Sequence, residues 1–167
     1  MNVDGDLGFH ITLGRYILGN GMIPSNDLFS HTMAGQPVIE HEWLSGVIFA
    51  FAEKYLGLNG IILLCALIIA TAFWLIYKMV RAESQTLLIP VLVTAIVISN
   101  SMVHWAARPH LFTFILFTLW IIVLKKLHQG TLKYWLGLPL IMLIWSNLHG
   151  IFIVGFITWF VYGFGIA

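Results

Sequence analysis

Residues 58–77 read LNGIILLCALIIATAFWLIY, twenty positions without a charged side chain. A helix rises ~1.5 Å per residue, so this segment alone reaches the ~30 Å of a hydrocarbon layer. A soluble core helix of that length would carry a polar stripe, and this one has none. Residues 85–103, QTLLIPVLVTAIVISNSMV, repeat the pattern. Hydrophobic residues make up 60% of the chain and charged residues 9%, so the apolar runs are the rule here rather than a local feature. A formal net charge of +1 offers no basic field for nucleic acid. The expected fold is all-α: a polytopic transmembrane helical bundle.

Residues 1–57 differ in kind. Asp4, Asp6, Asp27, Glu40, Glu42 and Glu53 stand against only Arg15 and Lys54. Asp4 or Asp6 can cap a helix over about 7–18, with Leu7, Ile11, Gly14 and Leu18 on one face and Gly19, Asn20 and Gly21 stopping it. A loop rich in turn formers follows, and a second amphipathic helix begins near 40–42, passes Trp43 and ends at Gly57. Both helices suit a membrane interface. Spans are expected at about 58–78, 85–104, 108–125, 133–148 and 151–167. Lys78 with Arg81, and Lys125, Lys126 and Lys133, form two basic loops, which the positive-inside rule makes cytoplasmic. The acidic N-terminal loop then lies outside the cell membrane, in a multi-pass protein of the inner membrane. The start MNVDGDLGFHI has neither a basic n-region nor an h-region, and WFVYGFGIA ends inside an apolar run, so the chain is expected to be cut from a longer protein. The lone Cys65 lies in an apolar run and reads as a packing residue.

Four constellations fall on the outer side of that topology. Asp4-Gly-Asp6 is followed by His10, four residues beyond Asp6, so Asp6 and His10 share a helix face and could ligate a divalent cation, Mg or Mn. One carboxylate could instead act as a general base, or both could only cap the helix. Glu40-His41-Glu42-Trp43 lacks the HExxH spacing of a zinc protease. Its plain alternative is an acidic helix start with an interfacial Trp. Arg108-Pro109-His110 offers a guanidinium whose planar fork suits phosphate, or a snorkelling side chain. Trp145-Ser146-Asn147-Leu148-His149-Gly150 breaks an apolar stretch and reads as a substrate-binding turn or as polar glue between helices. His31, His104 and His128 read as loop or interfacial residues. The spans before and after Lys125 are short, which draws Arg108, His110, Asn147 and His149 toward the bilayer boundary, where ionisable groups must face protein or water.

The runs DGDLGFHITLGRYIL, IPSNDLFSHTMAGQPVIEHEWLS, ARPHLFTF and WSNLHGIFIVG resemble integral-membrane glycosyltransferase-like proteins of the GT-C superfamily, related to lipid-phosphate-sugar-dependent mannosyltransferases. The resemblance covers residues 4–155, as the N-terminal part of such a protein. It implies an extracytoplasmic loop with an acidic motif, matched here by Asp4 and Asp6, and a polyprenyl-phosphate sugar as donor. It also implies that one aspartate is the catalytic base or a metal ligand, without saying which, and that later helices help form the donor groove, so this stretch alone is expected to be inactive. The reaction expected is inverting sugar transfer to an acceptor of unknown identity at the outer membrane surface. Asp4 or Asp6 takes the proton, and Arg108, His110, Asn147, His149, His41 and Glu42 bind substrate. The alternative is a non-catalytic membrane protein, a lipid-linked-sugar transporter or a scaffold. Midplane ionisable residues would favour a transporter, and the runs over 58–103 carry none.

Overall fold

A computed structural model describes residues 5–165. It is predominantly helical, and no β-strand forms among the described residues. Six α-helices follow in order: α1 (Gly5–Asn20), α2 (Trp43–Glu83), α3 (Leu88–Ser101), α4 (His110–His128), α5 (Gly137–Leu148) and α6 (Ile153–Phe164). Short 3-10 turns at Met102–His104, Leu132–Tyr134 and Gly150–Phe152 connect the last four. Two helices, α2 and α4, are long and apolar enough to cross a membrane.

The polar positions explain where helices stop. Gly21 leaves α1 with φ 67°, and its N–H donates to the Ile17 carbonyl at 2.8 Å, the glycine cap that a left-handed residue permits. Asn20 belongs to the helix and donates its side-chain amide to the Tyr16 carbonyl. Asp6 lies inside the first turn rather than at the cap, and Asp4 falls outside the described residues. The connection to α2 folds on itself through an isolated antiparallel bridge between Asn26 and Pro37. Within it the Asp27 carboxylate accepts the backbone N–H groups of Phe29 and Ser30. At Gly57 (φ 62°, ψ −159°) α2 is interrupted, at the position where the sequence ends an amphipathic helix and starts a span. No loop intervenes.

The apolar face of α1 differs from the sequence expectation. Its buried strip is His10, Ile11, Leu13 and Gly14, whereas Leu18 and Phe9 are exposed. The cause is a close helix crossing. A Cβ on Gly14 would overlap the backbone carbonyl of Gly46, and one on Gly46 would come within 2.8 Å of the His10 carbonyl. Small residues at a crossing let two backbones approach and maximise dispersion contact. Residue pairs that meet rise together along both helices, from His10 with Glu42 to Arg15 with Glu53, so α1 runs parallel to the start of α2. The Arg15 guanidinium closes that contact through both Glu53 oxygens, at 2.5 and 3.2 Å.

The remaining helices pack around Phe49, Ile61, Leu111, Trp120 and Trp145. The second, third and fourth apolar runs follow the expected bounds only loosely. At nineteen residues α4 spans about 28 Å, because it extends from His110 into the basic flank at His128. At fourteen residues α3 reaches only about 21 Å and gives way to the 3-10 turn at Met102. The run over 133–148 divides into a turn and the twelve-residue α5. Lys125, Lys126 and His128 occupy the last turn of α4, where cations complement the helix dipole, and Lys125 meets Glu83 from the end of α2 at 2.5 Å.

The crossing makes a paired prediction. Gly14→Ala, forced against a backbone carbonyl that cannot swing away, lowers the unfolding free energy by about 3 kcal/mol. Gly8→Ala, on the same helix with open space around it, changes stability by no more than about 1 kcal/mol, and in the stabilising direction. Thermal unfolding of the two variants in detergent separates a packing role for Gly14 from simple helix propensity.

Candidate functional site

The glycine crossing fixes the register of the site. His10 lies one turn before Gly14, and Glu42 one turn before Gly46, so the two side chains meet. His10 Nε2 lies 3.5 Å from Asp6 Oδ1 on its own helix and 3.5 Å from Glu42 Oε2 at the start of α2. The other oxygen of Glu42 faces a different part of the chain. Glu42 Oε1 is 3.6 Å from His149 Nε2 and accepts the Gly150 N–H at 3.4 Å. The other oxygen of Asp6 lies 3.4 Å from Arg108 Nε, in the loop before α4. Three segments distant in sequence therefore converge on two carboxylates.

His10 is 3% exposed, and its Nδ1 is buried without a hydrogen-bond partner. This fixes its protonation. A proton on Nε2 faces two carboxylates, whereas one on Nδ1 would be a buried donor with nothing to bond, at a cost of about 1–3 kcal/mol. Burial pushes the His10 pKa down from its ordinary value of 6.5, Asp6 and Glu42 pull it up, and Arg108 adds to the lowering. Burial also lowers His149, against the pull of Glu42 and with that of His110 and His10. Both rings are held toward the neutral form.

The other candidate residues take different places. His110 Nε2 lies 2.6 Å from the His104 carbonyl; a carbonyl can only accept, so the ring carries its proton there and is tied back onto the turn before α4. Its ring centre is 6.2 Å from that of His149, at the edge of the cluster. Asn147 accepts the Trp43 indole N–H at 2.7 Å and donates to the Leu143 carbonyl at 2.7 Å, so it clamps α5 to the start of α2. His41 is exposed in the turn before α2, next to Glu40, whose carboxyl is pushed up mainly by burial and by Asp27. The structure does not bring His41 into the cluster.

Thr113 escapes the sequence reading, and so does the bond it makes with Trp145. The Trp145 indole donates to Thr113 Oγ1 at 3.0 Å, and Thr113 Oγ1 lies 3.1 Å from His149 Nδ1. The signal available in the sequence was slight: a hydroxyl in the first turn of an apolar helix, three residues after His110. Among the described residues no group of three or more His, Cys, Asp or Glu side chains could hold a metal ion. Asp6 and His10 supply two donors, and the Arg108 cation lies against Asp6. Two donors beside a guanidinium are a poor cradle for Mg or Mn.

An apolar groove of about 890 Å³ runs between α2 and α3. Leu7, Ile62, Phe73, Ile98, Trp105 and Ala107 are among the residues that line it. Leu7 and Ala107 are the chain neighbours of Asp6 and Arg108, so the lining of the groove comes within one residue in sequence of each member of the ion pair.

The histidines give the site a pH signature. The unfolded chain takes up protons near 6.5, whereas folded His10 and His149 resist protonation. Stability is therefore full above about 6.5 and declines as the pH falls below it, because acid favours the state that binds more protons. Replacing His10 by Gln flattens this acid limb, measured as the slope of unfolding free energy between neutral and mildly acidic buffers. An unchanged slope in that variant would show that His10 is not held neutral.

No family model matches the chain, and neither a curated protein nor a solved structure is significantly similar to it.

Proposed function

We propose that the chain is the site-bearing part of a polytopic membrane glycosyltransferase, which moves a sugar from a polyprenyl-phosphate donor to an acceptor at the non-cytoplasmic surface. The observation that carries this reading is an Asp6–Arg108 pair whose chain neighbours, Leu7 and Ala107, line the apolar groove. A lipid-phosphate sugar needs a slot for its hydrocarbon, a cation for its phosphate and a carboxylate near the sugar, in that order along the molecule.

The exposure of the long helices supports the membrane reading. Only 28% of the most apolar window of α2 and 33% of that of α4 are buried within the chain, whereas a soluble core helix would be mostly covered. Leu88, Ile89, Val91, Leu92 and Ile96 on α3 are also exposed. A continuous apolar surface of this kind calls for lipid or further helices. Under the positive-inside rule the basic end at Lys78, Arg81, Lys125 and Lys126 faces the cytoplasm, and the His–Asp–Glu–Arg cluster faces the other side.

In the proposed reaction an acceptor hydroxyl oxygen attacks the anomeric carbon as the bond from that carbon to the phosphate oxygen breaks. The bonding pair leaves with the lipid phosphate, and the hydroxyl proton passes to Asp6 or to its neighbour Asp4. Attack opposite the leaving group inverts the anomeric centre. The phosphate departs as a stable anion, so it requires neutralisation rather than an acid, and the half-exposed Arg108 guanidinium supplies the fork for it. No step is routed through a metal.

The test is sugar transfer from a polyprenyl-phosphate donor by the protein in vesicles. Asp6→Asn and Arg108→Gln each reduce the rate by about 10²–10³, the cost of losing one charge-stabilising contact. His31→Ala, in the exposed loop, leaves it unchanged. Undiminished transfer in both site variants, or donor flux across the vesicle with no transfer, overturns the proposal.

A further inference from the structure

Glu42 is one of the two carboxylates at the cluster, and the question is whether it meets substrate or holds the cluster together. Both of its oxygens already face N–H groups. His10 Nε2 approaches Oε2, while His149 Nε2 and the Gly150 N–H approach Oε1. The outcome depends on which nitrogen of His149 carries the proton, and a chain of hydrogen bonds decides it.

The buried Trp145 indole can only donate, and it occupies one lone pair of Thr113 Oγ1. Thr113 has a single hydroxyl proton, and His149 Nδ1 is 3.1 Å away. With that proton given to a bare Nδ1, the neutral His149 ring carries its own proton on Nε2, facing the Glu42 carboxylate. The opposite tautomer would set a bare Nε2 lone pair against a carboxylate oxygen 3.6 Å away and leave the threonine proton without this acceptor. The other titratable groups around the ring, His110 from α4 and His10 from α1, disfavour a positive His149 and so favour the neutral ring.

We propose that Glu42 is a positioning carboxylate, held by the Nε2 protons of neutral His10 and His149, and that the Trp145–Thr113 pair selects the His149 tautomer. Glu42 then links α1, the start of α2 and the turn after α5 through three donors. Thr113 acts through His149 and touches no reacting atom.

The tautomer is read directly, without any activity, from the ring-nitrogen NMR shifts of ¹⁵N-histidine-labelled protein at mildly alkaline pH. The signals are assigned with His10→Gln and His149→Gln. Wild-type His149 is expected to be protonated on Nε2. Thr113→Val, close in shape but without the hydroxyl, lowers the Nε2–H to Nδ1–H ratio about fivefold, the equivalent of one neutral hydrogen bond. Thr113→Ser restores it. A proton on Nδ1 in the wild type, or a ratio unmoved by Thr113→Val in a folded protein, overturns the inference. Should the valine variant fail to fold, the wild-type tautomer and its retention in Thr113→Ser carry the test. Because no sugar transfer enters the measurement, loss of the glycosyltransferase reading and loss of this one are told apart.

Discussion

The contact between Gly14 and Gly46 sets the geometry on which the polar cluster depends. Helices that touch through bare backbone pass closer than any side chain allows, and that proximity places His10 beside Glu42 one turn further along. A methyl group at Gly14 would overlap the Gly46 carbonyl oxygen, so the axes would have to part and the 3.5 Å separations at the cluster would lengthen. His10 would then lose a carboxylate while remaining buried, and a buried imidazole deprived of its partner is costly. Packing and electrostatics are thus a single constraint here. Arg15 and Glu53 close the same interface on its exposed side, where the ion pair contributes little energy but restricts sliding.

Local rules carry the sequence reading as far as they apply. Gly57 marks the interruption of α2 because its φ of 62° suits glycine and few other residues, and Asp6 and His10 share a face because they are four apart on a helix. Gly21 and Gly130, both with positive φ, follow the ends of α1 and α4. What the sequence leaves unread are relations between distant segments. No periodicity pairs residue 42 with residue 149, or 113 with 145. The face of α1 is read correctly at Ile11 and Gly14 and misplaced at Leu18, because the contact is made where side chains are absent, at Gly14. Asn147 looks like a substrate ligand in one dimension, and in three dimensions its amide is spent on Trp43 and Leu143.

The neutral histidines bear on how the site could handle a phosphate. With His10 and His149 uncharged, Asp6 and Glu42 outweigh Arg108, and these described groups together hold one negative charge. In the proposed reaction an arriving lipid phosphate would meet a site that is not electrostatically prepared for it in bulk, only at the guanidinium. Its charge opposes the burial that keeps the imidazoles neutral and draws a proton onto one of them. His149 is the better placed of the two, because His10 would have to carry a second N–H on the buried, unpartnered Nδ1. His149 has Thr113 on that side, and a hydroxyl can turn from donor to acceptor as the ring takes its second proton. The same threonine that selects the neutral tautomer can therefore accommodate the charged ring. In the proposed reaction the cluster can respond to the charge of its substrate without moving any helix.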